Sequence, residues 1–209
     1  MKKNVKSDIP RKTIYRLSVY LRCLQRLKTN KIRTVSSEAL AKAAQVKSTQ
    51  LRKDLTYFGQ FGTRGLGYDV EQLIVMMGDL LGTTSLQPVI LVGVGNLGLA
   101  LLSYQGFEQE GFEIIAAFDS DSQRKRAKCR MPIHPMEDLT QIITDQGVKM
   151  AILTVPAPEA QEVANQLIGQ GIAGILNFAP IMLHVPEEVM VNNVNLAMEL
   201  ENLSYFIQQ

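Results

Sequence analysis

The sequence predicts an α/β chain of two unlike parts: a small basic helical domain carrying a helix-turn-helix, then a doubly wound parallel-sheet domain with a C-terminal helix. Three observations lead there. Apolar residues recur at steps of three or four in the first part, and run continuously as Val, Ile, Leu and Ala in short segments of the second. The stretch Gly93-Val94-Gly95-Asn96-Leu97-Gly98 stands between one such run and a helical segment. Charge is divided too: residues 1–83 hold 16 Lys and Arg against 6 Asp and Glu, net +10, whereas residues 84–209 hold 6 against 14, net −8. The boundary falls in GTTSLQP, which gives expected domains of 1–83 and 84–190, followed by a strand end and terminal helix over 191–209.

In the first domain, Ile14, Leu17, Leu21, Leu24 and Leu27 form one apolar stripe, so a helix is expected over 10–28, with Asp8 before it and Pro10 near its first turn. A second helix starts at Ser36-Ser37 and carries Leu40, Ala41 and Ala44. A third starts at Ser48, read as its N-cap, and buries Leu51, Leu55 and Phe58 before Gly59. Two short helices joined by a tight turn form the helix-turn-helix. FGQFGTRGLGYDV, with four glycines among aromatics, suits a short β-hairpin with a flexible tip, a wing. Asp69 with Gln72 makes a capping box that opens a helix through Leu73, Met76, Met77 and Leu80 to Gly82.

The second domain alternates strand-like PVILVGV, a helix from Asn96 to Phe107, FEIIAAF, the turn DSDSQ, a helix over 136–145, VKMAILTV, a helix over 158–169 and GIAGILNF. Such alternation indicates a parallel sheet covered on both faces. A last strand over 189–194 leads to a helix with Leu196, Leu200, Leu203 and Phe206.

Composition excludes several classes. With 46% hydrophobic and 20% charged residues, the chain buries a core and is not disordered. No apolar run reaches the roughly 18 residues that cross a bilayer, and the basic start MKKNVKSDIPRK leads into an amphipathic segment, so a soluble, cytoplasmic protein is expected. Cys23 and Cys129 are too few for a disulfide framework or a four-thiolate zinc site. His134 and His184 have no His or Cys at ligand spacing, so no metal is expected.

Between a strand and a helix, the glycine motif suits a dinucleotide: Gly93 for the tight turn, Gly95 for close backbone approach to a pyrophosphate, Gly98 for close helix packing. Asp119, 21 residues past Gly98 at the end of FEIIAAF, suits the adenosine ribose hydroxyls and repels a 2′-phosphate, which points to NAD(H). Arg124, Lys125 and Arg126 are read as a solvated helix start. In the third helix, Thr49, Arg52, Lys53 and Thr56 lie away from the apolar face, with Ser48 and Gln50 at its exposed N-terminal end, as suits major-groove readout. Arg64 and Gly65 sit at the wing tip, where an arginine reaches a phosphate or a narrow minor groove. The Rossmann half offers little to serve as a proton acceptor beside a nicotinamide, so binding NAD(H) without turnover is favoured over an NAD-dependent oxidoreductase with a basic helical extension. A dinucleotide-dependent scaffold whose basic half binds an acidic protein is a third reading.

These residues resemble the Rex family of redox-sensing transcriptional repressors. The likeness is carried by IPRKTIYRLSVYLRCL, VSSEALAKAAQVKSTQLRKDLTYFGQFGTRGLGYDV, VILVGVGNLGLALLSYQGF, AAFDSD, LTVPA, LNFAP and VNNVNLAMELENLSY. The resemblance implies a homodimer with a winged-helix domain and a Rossmann domain in each subunit, the C-terminal helix swapped onto the partner, and release from inverted-repeat operator DNA by NADH. It further implies that Thr154, Val155 and Pro156 with Asn177, Phe178 and Ala179 line the nicotinamide side, and that Tyr104 and Phe107 wall the pocket toward the partner. Arg16, Tyr104 and an acid on the swapped helix are associated with signal coupling in the family. This chain has Asn195 where an Asp is common.

Overall fold

A computed structural model describes residues 9–62, 66–121 and 131–207. The chain divides into two units, Met1–Ser85 and Leu86–Gln209. Among the described residues no helix is long and apolar enough to cross a membrane.

In the first unit, α1 (Arg11–Thr29) begins after Pro10, whose fixed φ of −60° suits a helix entry. It buries Thr13, Leu17, Tyr20, Leu21 and Leu24, while Ile14, expected on that face, is exposed. Strand β1 (Thr34–Val35) follows, then α2 (Ser37–Ala43), capped by the Ser36 hydroxyl, which accepts from the Ala39 N–H at 3.1 Å. A turn through Gln45, at φ +55°, leads to α3 (Ser48–Thr56). Strand β2 (Tyr68–Asp69) runs into α4 (Val70–Leu81), where Asp69 accepts from the Gln72 N–H at 2.8 Å as the capping box requires.

Two local expectations change. The cap position of α3 belongs to Lys47, which makes no side-chain bond; Ser48 is the first helical residue, and its hydroxyl accepts from Arg52 Nη2 at 3.0 Å. The wing stretch supplies one strand among the described residues, and its antiparallel partner is β1, ahead of α2. The pairing is tight: Gly67 sits at φ +81°, and a Cβ there would lie 2.5 Å from the Val35 carbonyl oxygen. Asp8, Arg64 and Gly65 lie outside the described residues.

The core of this unit is apolar, with Leu17, Leu24, Leu40, Leu51, Leu73 and Met77 buried, but Thr13 and one carboxylate are buried with it. Asp54, on the inner face of α3, has no exposure and accepts from Arg16 Nε (2.6 Å) and Nη2 (2.7 Å), Tyr20 Oη (2.8 Å), Gln50 Nε2 (2.8 Å) and, at 3.4 Å, Thr13 Oγ1. Three of those four donor residues sit on α1, so the carboxylate clamps the two helices together.

In the second unit, six parallel strands are ordered β5-β4-β3-β6-β7-β8: β3 (Gln87–Val92), β4 (Phe112–Phe118), β5 (Ile133–His134), β6 (Met150–Leu153), β7 (Gly174–Asn177) and β8 (Met190–Asn193). Helices α5 (Asn96–Leu102), α6 (Gly106–Gln109), α7 (Leu139–Gln146), α8 (Ala157–Gly169) and α9 (Leu196–Ile207) complete it. Strand residues alternate between two cores. Ile90, Val92, Ala116, Phe118, Ala151 and Leu153 pack with Leu139 and Ile143 of α7 and Ala160, Ala164 and Leu167 of α8. Val89, Leu91, Ala117 and Ile152 pack with Leu99, Leu101 and Phe107 of α5 and α6. Burial on both faces is why these strands read as continuous apolar runs.

The helix expected from Asn96 to Phe107 is broken. Ser103 Oγ donates back to the Leu99 carbonyl oxygen at 2.9 Å, and the Tyr104 ring occupies the space where Gly106 lacks a Cβ. Strand β5, only two residues long, is too short to show as an apolar run. Helix α9 buries nothing within the chain: Leu196, Leu200, Leu203 and Phe206 are all exposed.

The Asp54 cluster sets a pH window for the first unit. Burial pushes the Asp54 carboxyl up, but the hydrogen bonds from Arg16, Tyr20 and Gln50 outweigh it and hold it below its ordinary 3.8. Burial, then the bond to Asp54, pushes the Tyr20 hydroxyl well above its ordinary 10.0. The Asp54 contribution is therefore fully present above 3.8 and lost as pH falls through the lower folded value. The Tyr20 contribution is present below 10.0 and lost as pH rises toward the folded value. Urea unfolding followed by far-UV circular dichroism is expected to give a midpoint that is level from about pH 5 to about pH 9 and falls at both ends. Asp54→Ala, which strands Arg16, is expected to cost about 2 to 3 kcal/mol at pH 7, at the low end for buried pairs because the Arg16 side chain is 24% exposed.

Candidate dinucleotide and nucleic-acid sites

The winding of the sheet reverses between β3 and β6, and a crevice opens beyond the carboxyl ends of those two strands. It encloses about 470 Å³ and brings together Gly93, Gly95, Asn96, Leu97, Asp119, Thr154, Val155 and Pro156, all expected from the sequence.

Steric limits shape its floor. Gly93 has φ +99°, and a Cβ there would stand 2.8 Å from the Thr154 carbonyl carbon. A Cβ on Gly98 would lie 2.1 Å from the Gly93 carbonyl oxygen, so α5 packs against the loop only because residue 98 has no side chain. At Gly95 nothing lies within 4 Å of the Cβ position, which leaves the mouth open for close backbone approach. Polar bonds hold the loop between two strands. Thr154 Oγ1 donates toward the carbonyl oxygens of Gly93 (2.6 Å) and Val92 (3.1 Å). Asp119, only 6% exposed, accepts from the Val94 N–H at 2.6 Å and from the Asp121 N–H at 2.9 Å.

The crevice wall also includes Ser120, Met136, Glu159 and Val163, which sequence reasoning missed. Ser120 adjoins Asp119, and Glu159 follows Pro156 by one helical step, so adjacency was an available signal; Met136 follows β5, which the sequence did not show. The described lining holds two carboxylates, Asp119 and Glu159, and no Lys or Arg. A phosphate entering there would be met by backbone N–H groups, and a second phosphate beside Asp119 would be repelled.

The remaining expected residues sit elsewhere. Val94 and Gly98 are buried beneath the loop. Asn177 is fully buried: its Nδ2 donates to Asn193 Oδ1 (2.8 Å) and the Ile181 carbonyl (2.9 Å), and its Oδ1 accepts from the Ala179 N–H (3.0 Å). Ala179 is buried and Phe178 is half-buried in the core beside Leu176. Tyr104 meets Phe107 edge to face, centroids 5.1 Å apart, and Phe107 borders a separate apolar hollow of about 290 Å³ with Ile114, Met150, Leu176 and Met190. Among the described residues no cluster of three His, Cys, Asp or Glu could hold a metal ion.

In the first unit, α3 exposes Thr49, Arg52, Lys53 and Thr56, while Ser48 and Gln50 are half-buried at its N-terminal end. Arg52 is folded along the helix, donating to the Ser48 hydroxyl (3.0 Å) and lying 3.8 Å from Glu38 of α2. Gln50 is turned toward Asp54.

Residues 8–56 match a family described as "Putative DNA-binding protein N-terminus", and residues 84–181 match "CoA binding domain". A redox-sensing transcriptional repressor Rex of Pelotomaculum thermopropionicum is 45% identical over 96% of this chain and 95% of its own. The chain belongs to the Rex family. Two solved Rex-family structures of RSP are similar throughout. RSP in complex with beta-NAD+ and operator DNA has a TM-score of 0.87 at 34% identity, covering 95% of this chain and 92% of that one. RSP in complex with beta-NADH has 0.84 at 33%, covering 96% and 94%.

For this Rex-family chain the glycine geometry separates folding from binding. Gly98→Ala is expected to lower stability by about 2 kcal/mol through overpacking against the loop. Gly95→Ala, at an N-cap with an ordinary φ of −74° and open space at the Cβ position, is expected to change it by less than about 0.5 kcal/mol, the lost cap preference being offset by a less flexible unfolded chain, with thermal melting of the two variants as the check.

Proposed function

We propose that this chain is a cytoplasmic, homodimeric repressor that binds inverted-repeat operator DNA through α3 and reads the NADH/NAD⁺ balance in the crevice beyond β3 and β6. One observation carries the reading: a single chain joins a helix with an exposed basic face to a glycine-floored crevice rimmed by a carboxylate, and chains 33% and 34% identical were solved with NADH, and with NAD+ and operator DNA.

In this reading, Gly95 admits the pyrophosphate and Asp119, held at the crevice wall by the Val94 and Asp121 N–H groups, takes the adenosine ribose hydroxyls. Thr154, Val155 and Pro156 face the nicotinamide side with the loop of Asn177, Phe178 and Ala179. Asn177, spent on its own loop, acts by holding that loop in place. Tyr104 and Phe107 stand toward the partner, and the apolar stripe of α9, uncovered within one chain, is buried against the second subunit. Ser48, Thr49, Gln50, Arg52, Lys53 and Thr56 face the major groove, with Arg64 and Gly65 at the wing tip.

Oxidised and reduced nicotinamide differ by one ring charge, and only a difference in affinity between two dimer geometries shifts a population. NADH therefore favours the geometry whose two α3 helices no longer match half-sites one turn apart. The chain senses NADH and does not consume it.

Fluorescence anisotropy of a labelled A/T-rich inverted-repeat duplex tests this. Bound duplex is expected to be released by NADH at concentrations where NAD⁺ and NADPH do little; equal operator affinity with and without saturating NADH overturns the sensing. Steady loss of NADH absorbance with small carbonyl substrates would favour an oxidoreductase. Arg52→Ala or Lys53→Ala is expected to cost about 1 to 3 kcal/mol of operator binding if base-reading and to leave NADH affinity unchanged. Gly95→Val is expected to do the reverse, losing NADH binding and hence release while operator binding persists.

A further inference from the structure

Asp54 does more than join two helices. It is the one charged side chain of α3 turned fully inward, and the pair it forms with Arg16 is complete in charge without any further donor. Yet the carboxylate also takes the amide of Gln50, one turn earlier on the same helix, at 2.8 Å. Gln50 stands at the N-terminal end of the helix, the part that enters the major groove when such a helix reads DNA.

An ionised carboxylate accepts and never donates. Gln50 must therefore point its Nε2 inward, which settles an amide orientation that is otherwise free to flip. Its carbonyl oxygen and one N–H are left for other partners in a fixed order. An unpinned glutamine presents either order by rotating its terminal amide, and so accepts either of two hydrogen-bonding patterns on a base edge. The anchor itself is rigid: Arg16 Nε, Arg16 Nη2 and Tyr20 Oη, all from α1, hold the carboxylate at 2.6 to 2.8 Å, and Arg16 Nη2 also reaches Thr13 Oγ1 at 3.1 Å.

We infer that Asp54 is a positioning residue for base reading: locked by Arg16 and Tyr20, it fixes the amide of Gln50 and through it the base preference at one position of each half-site. This rests on α3 being the DNA-reading helix. Asp54 touches no base. It acts through Gln50, and an asparagine at position 54, which can donate as well as accept, no longer dictates which way that amide turns.

The test is selection of full-length protein from a pool of randomised duplexes, sequenced before and after binding. Wild type, Asp54→Asn, Gln50→Ala and the double variant are compared. Wild type is expected to show a preference at one position per half-site that Gln50→Ala reduces by roughly tenfold. Asp54→Asn is expected to reduce or shift the preference at that same position, and to change nothing further in the Gln50→Ala background. If Asp54→Asn weakens every duplex alike and leaves the preferences of both backgrounds intact, Asp54 is only a clamp and the inference falls. Far-UV circular dichroism at the assay temperature shows whether Asp54→Asn is folded. If it is not, Gln50→Glu answers the same question, because two facing carboxylates repel and release the side chain: a preference that survives Gln50→Glu overturns the inference. If Gln50→Ala alters no position while wild type still selects a sequence, the inference fails and the proposed function stands. If wild type selects no sequence at all, the DNA-reading role of α3 falls and the inference falls with it.

Discussion

A carboxylate taken out of water costs several kcal/mol unless donors meet it, and among the described residues each unit buries one: Asp54 in the first, Asp119 in the second. Donor placement around these two groups organises the structure nearby. Asp54 draws Arg16, Tyr20 and Thr13 of α1 onto α3 and holds Gln50 as well. Asp119 draws the Val94 N–H down and so holds the glycine loop against the end of β4. In both cases an inward carboxylate sets the geometry of a neighbouring outward surface, a helix face in one unit and a crevice floor in the other.

The second constraint is steric. Strands β3 and β6 bring Gly93 and Thr154 together, and the space between them admits no side chain at 93 or 98. That crowding forces the chain to turn sharply out of β3 and enter α5 at once, which places the first turn of the helix at the crevice. The absence of cations from the described lining fits a site that meets phosphate with backbone N–H groups and ribose with a carboxylate, a division that selects against an extra 2′-phosphate.

Much of this was legible in the sequence, for physical reasons. Helices and strands follow from periodicities that neighbouring residues carry, and the order strand, GVGNLG, helix is itself a local statement about where a turn must be tight. The capping of α4 by Asp69 spans three residues and reads directly from the text. Where local order was misread, the competing bonds are local too: the Ser103 hydroxyl bonds back to Leu99 where α5 stops, and the Ser48 hydroxyl is taken by Arg52 inside α3 while Lys47 holds the cap position.

By itself, the sequence determined the two-part organisation, the opposite charges of the parts, the glycine turn, Asp119 at its strand end and the exposed polar face of α3, because each depends on residues close together in the chain. Tertiary structure alone decided that Asp54 turns inward to Arg16, 38 residues away, that Asn177 closes its own loop on Asn193, and that β2 pairs with β1 across two intervening helices. In a helical pattern an aspartate among polar neighbours reads as solvated. Only the folded chain supplies the distant donors that make its burial affordable.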